Sequence, residues 1–172
     1  RNKDAVTQNQ KGADPMRASG IALAGAQSTL KAWSEGKYPD PKNDGIVTAE
    51  EVAGLNLDGT WIVNLSACET GIGEARSGEG VFGLRRAFMM AGTKNLIMTL
   101  WAVNDASTAE IMSDFYKRCF ASGSPAQSLA DTQRDWLLKI KNEKGLLEAV
   151  RDAGPFVITT TGAPYKSFFL ES

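Results

Sequence analysis

No histidine occurs anywhere in the 172 residues. Imidazole is therefore unavailable from this chain as a general base, a proton shuttle or a metal ligand. Cysteine is nearly as scarce: Cys68 and Cys119 are too few for a disulfide framework, which fits a reducing, cytoplasmic setting. No apolar stretch approaches the ~20 residues that span a bilayer, and none reads as a signal peptide. Charge of either sign is not in excess, since 19 basic and 20 acidic residues leave a formal net charge of -1. They are scattered rather than clustered, which argues against direct nucleic-acid binding or attraction to an anionic membrane. An initiating methionine is also missing, so the chain reads as part of a longer protein.

At 42% hydrophobic composition the chain can bury the core of one domain. The segment that organises it is Trp61-Ile62-Val63-Asn64-Leu65-Ser66-Ala67-Cys68-Glu69-Thr70-Gly71. Led in by Asp58-Gly59, it is a largely apolar run with β-branched residues, the pattern of a strand buried on both faces. Gly71, Gly73, Gly78 and Gly80 follow, so Cys68 is expected where a central strand gives way to a glycine-rich loop. Open α/β sheets place their sites at such strand ends. Position alone leaves two roles open for Cys68, a reactive thiol or a small buried hydrophobe.

The elements on either side suggest alternating strands and helices. Residues 1–18 are polar and aperiodic, a surface loop or disordered start, and residues 19–172 form the domain. Ser19–Gly25 reads as a short strand, and residues 34–44, with Gly36, Pro39 and Pro41, as an exposed excursion. Thr48-Ala49-Glu50-Glu51 is a capping box that starts a short helix ending near Gly54. Glu79–Ala91 sets Val81, Leu84, Phe88 and Ala91 on one helical face, expected to cover the sheet behind Cys68, with Arg85 and Arg86 on a solvated face. Leu96–Val103 is a second buried run, and a strand-helix-strand unit of this length implies parallel strands joined by a right-handed crossover. Asn104-Asp105 opens a helix whose stripe is Ile111, Met112, Phe115, Tyr116 and Cys119, which assigns Cys119 to the core. Ser124-Pro125-Ala126-Gln127 carries the signals of a capped helix start running toward Lys141 and burying Leu129, Trp136, Leu137 and Ile140. Leu146–Val150 adds helix, and Phe156–Thr161 and Ser167–Leu170 read as strands of an edge hairpin.

Three strings carry a family likeness: Leu65-Ser66-Ala67-Cys68-Glu69-Thr70-Gly71, the segment Gly78 to Phe88, and Leu100-Trp101-Ala102-Val103-Asn104-Asp105. With the order of the elements from about Ser19 to the C-terminus, they resemble the CHAT family of caspase-like cysteine peptidases, relatives of separases and caspases. The resemblance implies an α/β, caspase-like three-layer fold: a mostly parallel central sheet flanked by helices, with the N-terminal strands lying before this chain. It implies that Cys68 is the nucleophile, that its own backbone N–H donates to the oxyanion, and that a histidine and the glycine after it supply the base and a second donor. Neither of the latter can be located here. The resemblance also implies a protein substrate, no cofactor and no metal, and control by an activating protein, helical repeats or a nucleic-acid-guided complex. No internal repeat is present in the chain itself.

Specificity is expected from the residues around the strand ends. Ser66, two before Cys68, shares its face by strand alternation. Asp105 matches the segment with which separases read a basic side chain; capping the following helix is the alternative role for an aspartate at that place. Trp101 is a pocket wall or a packing residue. Three functions follow: a cysteine endopeptidase whose histidine comes from a missing N-terminal segment, a catalytically inactive CHAT-like regulatory or binding module, or an α/β scaffold in which Cys68 is merely buried.

Overall fold

A computed structural model describes residues 16, 19–38, 44–65 and 79–161, which form six helices and five strands of a mixed α/β chain. Cys68, Ser66, the glycine-rich loop through Gly78, most of the polar start through Ala18, part of the 34–44 excursion and the Ser167–Leu170 strand lie outside them. The chain divides into two compact units, Arg1–Asn56 with Thr70–Ala91, and Leu57–Glu69 with Gly92–Ser172.

In the first unit β1 (Gly20–Ala22) pairs antiparallel with β2 (Ile46–Thr48), Ile21 opposite Val47. Between them runs α1 (Ala26–Ser34), a helix the sequence reading passed over. Glycine is required where the excursion rejoins β2: Gly45 has φ +71°, and a Cβ there would lie 2.5 Å from the Ala26 nitrogen. The expected capping box forms at α2 (Ala49–Ala53), with Thr48 Oγ1 accepting from Glu51 N and Glu51 Oε2 accepting from Thr48 N. α3 (Glu79–Met90) packs on α2 and buries Leu84, Ala87 and Phe88. Arg85 and Arg86 are exposed, and Arg85 lies over the exposed Phe82 ring, as a solvated face should.

The second unit is built on the sheet order β3-β4-β5. β3 (Ile62–Leu65) runs parallel to β4 (Asn95–Thr99), with Asn64 opposite Ile97, and β4 pairs antiparallel with β5 (Phe156–Thr160). The parallel pair is what the strand-helix-strand pattern predicts. All five β4 residues are buried, and its one amide is satisfied, Asn95 Nδ2 donating to Trp61 O at 2.8 Å. The run from Leu96 to Val103 was expected to be strand throughout, yet β4 stops at Thr99. β5 begins at Phe156, so beyond Thr99 the chain has no ladder partner on that side except Leu100 N, which donates to Pro155 O.

Three successive helices, α4 (Asp105–Ser122), α5 (Pro125–Lys144) and α6 (Leu146–Ala153), complete this unit. Ile111, Met112, Phe115 and Cys119 of α4 meet Leu129, Trp136 and Ile140 of α5, Ala149 and Ala153 of α6, and Ile97 and Phe156 of the sheet in one core. The expected helical stripes are thus the buried ones, with Tyr116 and Leu137 half-buried beside them. The expected capping box at Ser124 does not form. Ser122 Oγ already accepts from Ser124 N, and the Gln127 amide donates to Asp131 instead.

Candidate functional site

β3 is the strand that leads toward Cys68, and Asn64 is its polar residue. Ile62 and Asn64 alternate with Val63 and Leu65, which puts Asn64 on the same side of the sheet as Ile62 and as its partner Ile97. That is the side covered by α4, since Ile97 and Ile62 belong to the core that α4 fills. Between the end of β3 and α4 lies an open groove of about 300 Å³, lined by Asn64, Val103, Asp105, Thr108, Ala109 and Met112. Asn64 Oδ1 and Thr108 Oγ1 themselves are buried away from this open space and have no hydrogen-bond partner among the described residues. Neither residue is picked out by the sequence reading. The available signal is an amide inside the apolar run Ile62-Val63-Asn64-Leu65, and a threonine one helical turn after Asp105.

The start of α4 shows which residue caps it. Asn104 is the N-cap: its backbone is extended, and its Oδ1 accepts from Ala106 N at 3.0 Å and Ser107 N at 3.2 Å. Asp105 is the first helical residue and makes no capping bond among the described residues; it is exposed and is one of the residues lining the groove. The capping role proposed for Asp105 belongs to its neighbour. A carboxylate in the first turn is also favoured by the helix dipole, which explains why an acid is tolerated there beside a better cap.

Trp101 lies in the bend after β4 and does not line this groove. Its Nε1 donates to Arg151 O at 3.1 Å, and its ring is 3.4 Å from where a Cβ on Gly154 would sit. A second tie runs from Ser107, whose Oγ donates to the buried Asp152 carboxylate at 3.2 Å while Arg151 Nε donates to the same side chain. Together these bonds fasten the segment from Trp101 to Ser107 onto α6, so the carboxylate of Asp105 is presented from a supported turn.

Cys119 is fully buried in the α4 stripe, and burial pushes its thiol up from 9.0 to about 11. A thiol so placed stays protonated and inert at neutral pH. Among the described residues no group of three or more acidic or cysteine side chains could hold a metal ion. No helix among them is long and apolar enough to cross a membrane. A comparison with curated proteins gave no match. A family model described as the CHAT domain does match, over residues 5–164, and the chain belongs to that family.

Proposed function

We propose that this chain carries the nucleophile and the specificity pocket of a caspase-like cysteine endopeptidase. What carries the reading is the open groove beside the strand that leads to Cys68, with Asp105 among its lining residues and Asn104, not Asp105, capping the helix. The domain completes the three-layer fold of caspases with strands from an N-terminal segment. A basic side chain before the scissile bond binds near Asp105, which brings that residue's own carbonyl to the thiol.

The reaction needs a base that this chain lacks. A histidine outside these residues removes the Cys68 proton, and the thiolate adds to the carbonyl carbon while the Cys68 N–H donates to the oxyanion. Collapse breaks the C–N bond, the histidine returns the proton to the leaving amine, and water then hydrolyses the thioester. The absence of histidine from all 172 residues also favours a second reading, a catalytically inactive module that binds protein through the same groove.

One experiment separates the two. The chain, co-expressed with its upstream segment, is treated with an acyloxymethyl ketone bearing an arginyl residue, and the adduct is mapped by mass. Adduct on Cys68, with cleavage after basic residues abolished by Cys68→Ala, is the expected result. Labelling confined to Cys119, or full activity in Cys68→Ala, would refute the peptidase assignment. A tight complex that binds basic peptides without cleaving them establishes the inactive module.

A further inference from the structure

The turn between β4 and α4 is tied to a single neighbouring element. Leu100 N donates to Pro155 O at 3.0 Å, Trp101 Nε1 to Arg151 O at 3.1 Å, and Ser107 Oγ to Asp152 Oδ2 at 3.2 Å. All three acceptors belong to the end of α6 or to the two residues after it. Val103 and Asp105, which line the groove, lie between the tied positions Trp101 and Ser107. Two of the ties use backbone oxygens, which any residue at those places would supply. The third needs a side chain, and a costly one. Asp152 is 3% exposed, and a buried carboxylate requires hydrogen bonds to offset its lost hydration. It also stands in the last turn of α6, the end of a helix that disfavours negative charge. Ala149 and Ala153, buried beside it on the same helix, do their packing without a polar atom. The Asp152 carboxylate instead reaches α4, since Ser107 is the third residue of that helix and a negative charge is favoured at a first turn. Its other oxygen accepts from Arg151 Nε at 3.3 Å.

We infer that Asp152 is a positioning residue: through Ser107 it fixes the turn from Trp101 to Ser107 as a wall of the groove, and so governs peptide binding rather than the chemistry at Cys68. The inference rests on the reading of this groove as the substrate site. Its physical basis is the entropy of the turn. A wall tethered only near Trp101 would have to be ordered by each peptide it binds, and that cost is subtracted from affinity. Tethered at Ser107 as well, it is ordered beforehand. Asn104 caps α4 from within and holds the turn to that helix alone, whereas Asp152 joins the first turn of α4 to a different helix. Neither Asp152 nor Ser107 is among the lining residues, so the effect passes through the turn and not through contact with the peptide.

The test separates binding from reaction. Cys68 in the full-length protein is alkylated with a peptidyl acyloxymethyl ketone bearing an arginyl residue, and rates over a concentration series give a half-saturating concentration and a limiting rate. Ser107→Ala, a small change at a half-buried site, raises the half-saturating concentration about threefold to tenfold, the range for one hydrogen bond. Its limiting rate stays within about twofold, because an interaction that serves binding alone leaves the reacting groups untouched. Asp152→Ala behaves in the same way, and Ser107→Thr, which keeps the hydroxyl, matches the unmodified protein. Hydrogen exchange read by mass spectrometry quickens over Leu100 to Ser107 in the two alanine variants. A half-saturating concentration unchanged in Ser107→Ala, as a purely structural tie would leave it, overturns the inference, as does a Ser107→Thr protein no better than Ser107→Ala. Should Asp152→Ala fail to fold by circular dichroism, the two Ser107 variants decide alone. Normal labelling of Cys68 in every variant would overturn this inference and leave the peptidase standing. If the unmodified protein takes no label at Cys68, the peptidase reading falls, and the dissociation constant of the corresponding peptide amide, from ligand-observed NMR, replaces the half-saturating concentration. Weaker binding by Ser107→Ala then upholds the inference; equal binding, or none by the unmodified protein, overturns it.

Discussion

Exchanging the two neighbouring residues at the start of α4 should separate stability from recognition. Asn104→Ala removes the acceptor of two backbone N–H groups, Ala106 at 3.0 Å and Ser107 at 3.2 Å. Loss of a cap of this kind costs about 1 to 2 kcal/mol. In a protein of this size each kcal/mol lowers the melting temperature by roughly 2–4 °C, so a fall of about 2–8 °C is expected. Asp105→Asn leaves every one of those bonds in place. It removes only an exposed first-turn charge, worth about 0.3 kcal/mol once salt screens it, so the melting temperature should move by about 1 °C or less. Binding should respond in the opposite order. Asp105→Asn removes most affinity for basic side chains, while the folded fraction of Asn104→Ala retains it. Thermal unfolding by circular dichroism at 0.15 M salt, with peptide binding on the same preparations, measures both. Equal destabilisation by the two variants would return capping to Asp105 and remove its claim on the pocket.

Cys119 should resist iodoacetamide at pH 8 in the folded protein and react once it is unfolded. Its thiol is raised from 9.0 to about 11 by burial, so the stability of the neutral, buried thiol is fully present below about pH 9 and is lost as pH rises toward 11; urea titrations across that range check it. Asp114 behaves oppositely: the indole N–H of Trp136, then Lys117, hold its carboxyl below the usual value, so its contribution is present above about pH 4 and is lost as pH falls through the depressed value. Trp136→Phe should flatten that acid dependence, measured as melting temperature from pH 2 to 5. Gly92→Ala should cost more than about 1 kcal/mol, because φ is +102° and the added Cβ would strike the Asp58 side chain; chemical denaturation reads the loss.

Local chemistry was legible in the sequence where one partner could satisfy it. Thr48 and Glu51 form their capping box because both halves lie within one turn. Ser124 and Gln127 carry the same signature and do not, because the nearby Ser122 and Asp131 take the two groups instead. Helical stripes were legible because burial follows their period, and parallel β3 and β4 because the connection between them is a helix. The end of β4 was not legible from its own residues. Leu100 and Val103 look like strand, but β4 ends where Phe156 begins the neighbouring strand, a fact recorded some fifty residues downstream in the chain. The groove was hidden for a related reason. Its lining comes from β3, the segment after β4 and α4, which only the tertiary fold brings together.

The order of the strands also governs the sequence in which this unit can assemble. β4 lies between β3, which precedes it, and β5, which follows only after α4, α5 and α6 have been made. Those helices are joined by Gly123-Ser124 and by Gly145 alone, so their mutual contacts close short loops and can form early. The antiparallel ladder from Asn95 opposite Thr160 to Thr99 opposite Phe156 closes a far longer loop and must come late. During synthesis, therefore, a folded helical layer waits with one edge of β4 unpaired and the place of Phe156 in the core unfilled. A nascent chain arrested before Phe156 would present that edge to other chains, and release of only a few more residues would turn an association-prone intermediate into a closed sheet.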